Sequence, residues 1–279
     1  LLSQFKQKIT FLIKTLMVKK KTLIVALLAF ISTTATFAQS AKIKDVRTNP
    51  NLFFLQDGQQ PSSLALLPPP PSAGSMQWFY DESQYQWGKS LRDTPRGDQA
   101  AADARVDGDG VPHAFSEAFG TEISKENAPE IYKLVLEMRE DAGDLATRSA
   151  KNHYMRIRPF AYYKENTCNP AQQKELSTNG SYPSGHTTIG WAEALVLAEI
   201  NVDRQNEILK RGYEMGQSRV ICGYHWQSDV DAARLCAAAV VARLHADPAF
   251  QKQLQKAKKE FAQLVKAGKV VKSTFTLSK

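Results

Sequence analysis

Residues 183–200 read Pro-Ser-Gly-His-Thr-Thr-Ile-Gly-Trp-Ala-Glu-Ala-Leu-Val-Leu-Ala-Glu-Ile. From Gly185 onward, Trp191, Ala194, Leu195, Leu197, Ala198 and Ile200 recur at helical spacing, which predicts an α-helix beginning near Gly185. A helix start leaves unpaired N–H groups and the positive end of the dipole facing outward, an arrangement that favours an anion. Working outward, Asn127-Ala128-Pro129-Glu130 supplies a cap, a proline in the first turn and an acid at the third position. Ile131, Leu134, Val135, Met138 and Leu145 then predict one helix running toward Tyr154. Downstream, helices are expected from Asp203 through Met215, from about Ser228 over Val230–Leu244, and from Asp247-Pro248. The Ala- and Val-rich segment 230–244 reads as buried nearly all round. Alternating strand patterns are scarce, so the expected fold is all-α, several helices around one core.

The chain has 279 residues. Met17 opens a segment that reads as a secretory signal peptide, residues 17–38: Lys19–Lys21 are its positive region, Leu23–Ile31 its apolar core, and Ala38 the expected cleavage point. Residues 1–16 read as an upstream non-native segment. The apolar run is shorter than the roughly 20 residues a spanning helix needs, with an uncleaved membrane anchor as the alternative reading, and no later stretch has the 18 or more apolar residues of a spanning helix, so no membrane association is expected after cleavage. Six of the 36 basic residues and none of the 28 acidic ones lie before residue 39, which leaves a net charge of +2. That balance gives no case for nucleic-acid binding. Residues 39–75 end in Pro68–Pro71 and read as an extended proline-rich arm, and 76–279 as the all-helical domain. An exported compartment permits one disulfide among Cys168, Cys222 and Cys236, with Cys168–Cys222 the favoured pair and one thiol left over. Asp107-Gly-Asp-Gly110 lacks the rest of a calcium loop and reads as a tight turn. No spacing suggests a zinc site or another metal, and no cofactor is expected.

Three segments carry chemistry: Lys151 with Arg158-Pro159; Pro183-Ser184-Gly185-His186; and Ser218-Arg219 followed by His225 and Asp229. A site that binds a compact phosphate dianion without metal must supply cations and directed donors. Lys151, Arg158 and Arg219 are the cations, and arginine can grip two oxygens at once. Ser184 adds a hydroxyl, and Gly185 lets its N–H approach closely. Asp229, four residues after His225, can accept from Nδ1–H and leave Nε2 free to attack; if the helix starts only at Ser228, Asp229 must reach back from its first turn. His186, with no local carboxylate, reads as the general acid and then the base that activates water. One imidazole must be neutral and the other protonated, which predicts a mildly acidic optimum. His113, His153 and His245 lack such company and read as structural.

These segments resemble the signature of the type 2 phosphatidic acid phosphatase superfamily, which is related to the vanadium haloperoxidases: Lys-x6-Arg-Pro, Pro-Ser-Gly-His and Ser-Arg-x5-His-x3-Asp, matched at every fixed position. The flanking stretches Asn179–Thr187 and Gly216–Trp226 are similar to the bacterial class A non-specific acid phosphatases, a likeness covering about Trp78 to Leu264. The resemblance implies an all-α fold of the acid phosphatase/haloperoxidase type, no metal, a periplasmic location and homo-oligomers. It also implies His225 as nucleophile, His186 as acid/base, Asp229 as orienter, and Lys151, Arg158, Ser184, Gly185 and Arg219 as phosphate-binding. The substrates implied are phosphate monoesters such as nucleotides, sugar phosphates and aryl phosphates, with phosphotransfer to alcohols as a related activity. A membrane lipid phosphatase, a vanadate-dependent haloperoxidase and a non-enzymatic anion binder are the alternative readings.

Overall fold

The computed structural model describes residues 53–275, all within one compact unit. The expected signal peptide, the segment before it and residues 39–52 lie outside the described residues. Twelve α-helices are described: α1 (Ser63–Leu66), α2 (Met76–Ser90), α3 (Pro95–Ala102), α4 (Gly110–Phe119), α5 (Pro129–Glu140), α6 (Arg148–Tyr154), α7 (Pro159–Tyr163), α8 (Gln173–Leu176), α9 (Gly185–Ile200), α10 (Gln205–Ile221), α11 (Gln227–His245) and α12 (Pro248–Lys266). There is no strand among the described residues, so the fold is all-α.

Helix α9 is the centre of the molecule. It starts where its sequence predicts, with Ser184 as the cap: the Ser184 hydroxyl accepts the Thr187 N–H at 3.3 Å. Residues on every side of it are buried, including Ile189, Ala192, Ala194, Val196 and Leu197. It packs most extensively on α10, then on α11. The α9–α10 approach needs Gly212, where an added Cβ would stand 2.4 Å from that of Ala194. Helix α11, expected to be enclosed, instead leaves Asp231, Leu235, Ala238 and Ala242 exposed along one stripe. Alanine tolerates either environment, so its abundance there did not define a buried face.

The single helix expected from Asn127 to Tyr154 is broken. It is α5, a π-helical turn over Asp141–Leu145, and then the separate α6. Asn127 does not cap it: its amide donates to Glu122 O at 2.8 Å, and the Glu130 and Ile131 N–H groups are taken instead by the Glu260 carboxylate of α12, at 3.0 and 2.9 Å. In the π turn, the Asp141 carboxylate accepts the N–H groups of Phe54 and Leu55 at 2.8 and 3.0 Å, a demand made from residues 86 and 87 positions away. That same docking makes part of the proline-rich segment structured. Leu55 and Leu67 are buried, α1 lies within it, and Tyr182 donates to Pro68 O at 2.9 Å. The helix expected at Asp203 opens with a 3-10 turn over Val202–Arg204 before α10, and Asp247 caps α12 by accepting from Ala249 and Phe250. The Asp107–Gly110 stretch is a turn closed by Gly110 N–H to Asp107 O at 3.0 Å. Cys168 and Cys222 are bonded with Cα atoms 4.9 Å apart, and Cys236 is a buried free thiol.

One core residue is out of character. Glu193 of α9 is fully buried, and neither carboxylate oxygen meets a protein donor. Burial pushes its pKa well above the usual carboxylate value, against a weaker opposing pull from Arg139. A carboxyl whose folded pKa is raised favours folding most below its unfolded pKa, and that stability is lost as pH rises through the folded pKa. Glu193→Gln should therefore unfold later than the parent at neutral pH, by roughly 2–4 °C per kcal/mol gained. Thermal melts across pH check this: the gap should close below about pH 4, where the glutamate of the unfolded chain is protonated as well.

Candidate active site

Three backbone hydrogen bonds fasten the chemistry-bearing segments together. Ser181 N–H donates to Arg156 O at 2.8 Å, Ser184 N–H to Asp229 O at 3.0 Å, and Phe160 N–H to Gly223 O at 3.1 Å. The first two motifs, the second and third, and the first and third are thus each joined in turn. The result is a cleft of about 250 Å³ lined by Lys151, Arg158, Gly185, His186 and His225. Ser184 and Arg219 are fully buried and do not line it. Three larger grooves, of about 670, 460 and 960 Å³, hold none of the three cations or two imidazoles. Among the described residues no cluster of His, Cys, Asp or Glu could hold a metal ion, and no helix is long and apolar enough to cross a membrane.

The proton on His225 can be placed from its neighbours. Arg158 Nη1 lies 2.9 Å from Nε2, and a guanidinium only donates. Nε2 therefore carries the lone pair and Nδ1 the proton. Nδ1 faces two acceptors: Ser181 Oγ at 3.3 Å and Asp229 Oδ2 at 3.4 Å. Asp229 reaches back from the first turn of α11, where its Oδ2 also accepts the Trp226 N–H at 2.8 Å and the Ser181 hydroxyl. Burial, then Arg158 and Lys151, hold the His225 imidazole well below its ordinary pKa, so its neutral form persists into acid. Asp229 is held far below the carboxylate range despite its burial, chiefly by Arg156 and by His225.

His186 follows the cap of α9. Its Nε2 lies 3.3 Å from Ala104 O, a group that only accepts, so Nε2 carries a proton and Nδ1 is the second, titrating nitrogen. Burial, then the charge of Arg219, lower its pKa well below the usual value. A bound phosphate dianion acts in the opposite direction, since a nearby negative charge favours the imidazolium.

The cations crowd one another. Lys151 Nζ donates to Gly180 O at 2.9 Å, and burial and Arg158 depress its pKa strongly. Arg158 bonds Tyr224 O at 3.1 Å and the Asn179 side chain, and burial with Arg219 lowers it to about 9. Arg219 lies 4.0 Å over the Tyr224 ring, and none of its three guanidinium nitrogens has a protein acceptor. Burial lowers its pKa to about 10. Buried charge without a counterion is unfavourable unless an anion compensates it. Gly185 completes the wall: a Cβ there would stand 2.9 Å from Gly143 O, so only glycine fits. The Ser184 hydroxyl accepts from Thr187 Oγ1 at 2.9 Å and from the Thr187 N–H, which leaves its own proton free to donate.

Residues 142–252 match the PAP2 superfamily. A non-specific acid phosphatase from Providencia stuartii is 62% identical over 238 residues, covering 85% of this chain and 96% of that protein. The chain belongs to the class A non-specific acid phosphatases of the PAP2 superfamily. A non-specific acid phosphatase from Salmonella typhimurium is 45% identical over 194 residues, 70% of this chain and 78% of that protein. An acid phosphatase from Zymomonas mobilis is 36% identical over 198 residues, 71% of this chain and 74% of that protein.

In this acid phosphatase-family site, four residues escaped the sequence reading. Ser181 bridges His225 and Asp229, Asn179 holds Arg158, and Arg156 with Asp81 holds Asp229 from behind. Ser181 and Asn179 lie inside the stretch that resembles the family, so proximity was their one signal. Ser218, beside Arg219, donates to Asp103 Oδ2 at 2.6 Å instead of facing the cleft. Asp103 is also paired with Arg211 and precedes Ala104, whose carbonyl fixes His186.

Proposed function

We propose that this protein is a metal-independent acid phosphatase that hydrolyses phosphate monoesters through a phosphohistidine on His225. The observation that carries this is the donor-only Arg158 beside His225 Nε2, which marks that atom as a lone-pair nucleophile inside a cationic cleft. Lys151, Arg158, Arg219, the Ser184 hydroxyl and the Gly185 N–H would hold the phosphoryl oxygens. The Nε2–P bond forms as the bond from phosphorus to the leaving oxygen breaks, and His186 gives its Nδ1 proton to that oxygen. Water then attacks phosphorus, its proton passes to His186, and the Nε2–P bond breaks to release phosphate. An alcohol in place of water would give phosphotransfer. Recognition rests on the phosphoryl group, so nucleotides, sugar phosphates and aryl phosphates all fit the reading. Three buried cations supply the charge stabilisation a metal would otherwise supply. Export to the periplasm and homo-oligomeric assembly belong to the same proposal, and the Cys168–Cys222 bond supports the first.

Turnover of p-nitrophenyl phosphate from about pH 4 to 9, with and without EDTA, tests it. His186 must be protonated and its surroundings lower its pKa, so activity should peak on the acid side and decline as pH rises toward neutrality. EDTA should leave the curve unchanged. Activity lost to the chelator would defeat the metal-free mechanism.

A further inference from the structure

Behind the nucleophile lies a second, largely buried charge cluster. Arg156 Nη1 donates to Asp229 Oδ1 at 2.6 Å and to Ser228 Oγ at 2.8 Å, while Nη2 donates to Asp81 Oδ2 at 2.7 Å. Asp81, from α2, also accepts the Ser228 N–H at 2.8 Å and the Ser228 hydroxyl at 2.6 Å. Both aspartates are fully buried. The guanidinium carbon lies 5.5 Å from the Trp226 ring and 5.8 Å from the adjacent Trp78 ring, so two neighbouring aromatic rings pack against it. The oxygens of Asp229 are divided: Oδ1 serves Arg156, and Oδ2 faces His225, Ser181 and Trp226.

We propose that Arg156, held by Asp81, is a positioning residue that keeps the Asp229 carboxylate ionised and aimed at His225 under the acidic conditions the reaction requires. The inference rests on the phosphohistidine reading above. A protonated acid partner and an ionised orienting carboxylate must coexist in one site. A buried carboxylate left with few partners would take up a proton in mild acid and could no longer accept from Nδ1–H. The charged and titratable groups acting on Asp229 are Arg156, His225, Lys151, Arg158 and Tyr182, with Asp81 across Arg156. Of these, Lys151 and Arg158 belong to the phosphate cleft, and Arg156 alone is dedicated to the rear of the carboxylate.

The test compares Arg156→Met, Arg156→Lys and Asp81→Asn with the parent enzyme and with His225→Ala, using kcat and kcat/KM for p-nitrophenyl phosphate across pH and competitive inhibition by inorganic phosphate. Arg156→Met should lower kcat by about 10–100-fold and move the acid limb of kcat/KM upward toward the carboxylate range. The inhibition constant for phosphate should change less than about threefold. Arg156→Lys should restore part of the rate and of the acid limb, and Asp81→Asn should shift that limb in the same direction by less. Should Arg156→Met not fold, Arg156→Lys and Asp81→Asn decide the matter alone. An acid limb that stays in place in the folded variants overturns the proposal. If His225→Ala retains turnover, the nucleophile reading fails instead, so the two failures are distinguishable.

Discussion

His225→Ala lowers kcat on p-nitrophenyl phosphate by about 10⁴-fold or more, while inorganic phosphate still binds within an order of magnitude of the parent. The size of the effect follows from the geometry. Nε2 is the nitrogen that the Arg158 contact leaves unprotonated, and the Nδ1 proton is held by Ser181 and Asp229. Alanine removes the atom that would form the bond to phosphorus, and His186 keeps its Nε2 proton on Ala104 O and so remains an acid with no nucleophile to serve. The proposed mechanism places the anion-gripping groups elsewhere, on Lys151, Arg158, Arg219, Ser184 and Gly185, so affinity should persist. Steady-state kinetics with phosphate inhibition read both quantities. A variant that keeps most of its turnover would end the phosphohistidine mechanism, and one that never binds phosphate would show that the imidazole contributes to binding instead.

Arg219→Met gives the second large effect, and it separates function from stability. Arg219 is fully buried, stacks 4.0 Å over Tyr224, and offers three guanidinium nitrogens that meet no protein acceptor. Such a group is suited to an incoming anion with charge growing on its oxygens. Loss of one preorganised donor in sites of this kind lowers rate by about 10²–10³-fold, and here up to three nitrogens go at once, so kcat/KM should fall by about 10³-fold or more. Arg219→Lys should recover little, because a point charge cannot replace the fork. Phosphate should raise the melting temperature of the parent, as any ligand of the folded state does, and fail to raise that of Arg219→Met. Without phosphate the variant should melt no earlier than the parent, since a buried charge whose three nitrogens meet no protein acceptor has been removed. An early melt in the free variant would show that Arg219 is a structural residue.

The site was more legible than its supports. The spacing within each motif is local, so Lys151, Arg158, Ser184, Gly185, His186, Arg219, His225 and Asp229 could be named before any fold was known. Asp81 could not: it meets the Ser228 N–H across 147 residues of chain, and no local pattern sets an aspartate in α2 apart from its neighbours. Arg156 carried a weak signal, two positions before Arg158, but nothing in its spacing said that it turns toward Asp229 and away from the cleft. The helix break at Asp141–Leu145 was hidden because the apolar spacing runs on through Leu145 with no proline, while the interaction at Asp141 comes from Phe54 and Leu55. Helix α11 misled in the opposite way, its alanines giving no indication of which side faces solvent.

The amino-acid sequence by itself determined the helical class, the start of α9 at Gly185, the capping of α12 by Asp247 and the choice of residues the proposed mechanism assigns to phosphate, since helix periodicity, capping and motif spacing are short-range properties of the chain. Only the tertiary structure decided that Arg158 and Ser181 join Asp229 in fixing the His225 proton on Nδ1, that Arg219 stands buried without a protein acceptor, and that Arg156 and Asp81 form the rear of the site. Those outcomes depend on which donors and acceptors are desolvated together, and desolvation is a property of segments brought into contact from distant parts of the chain.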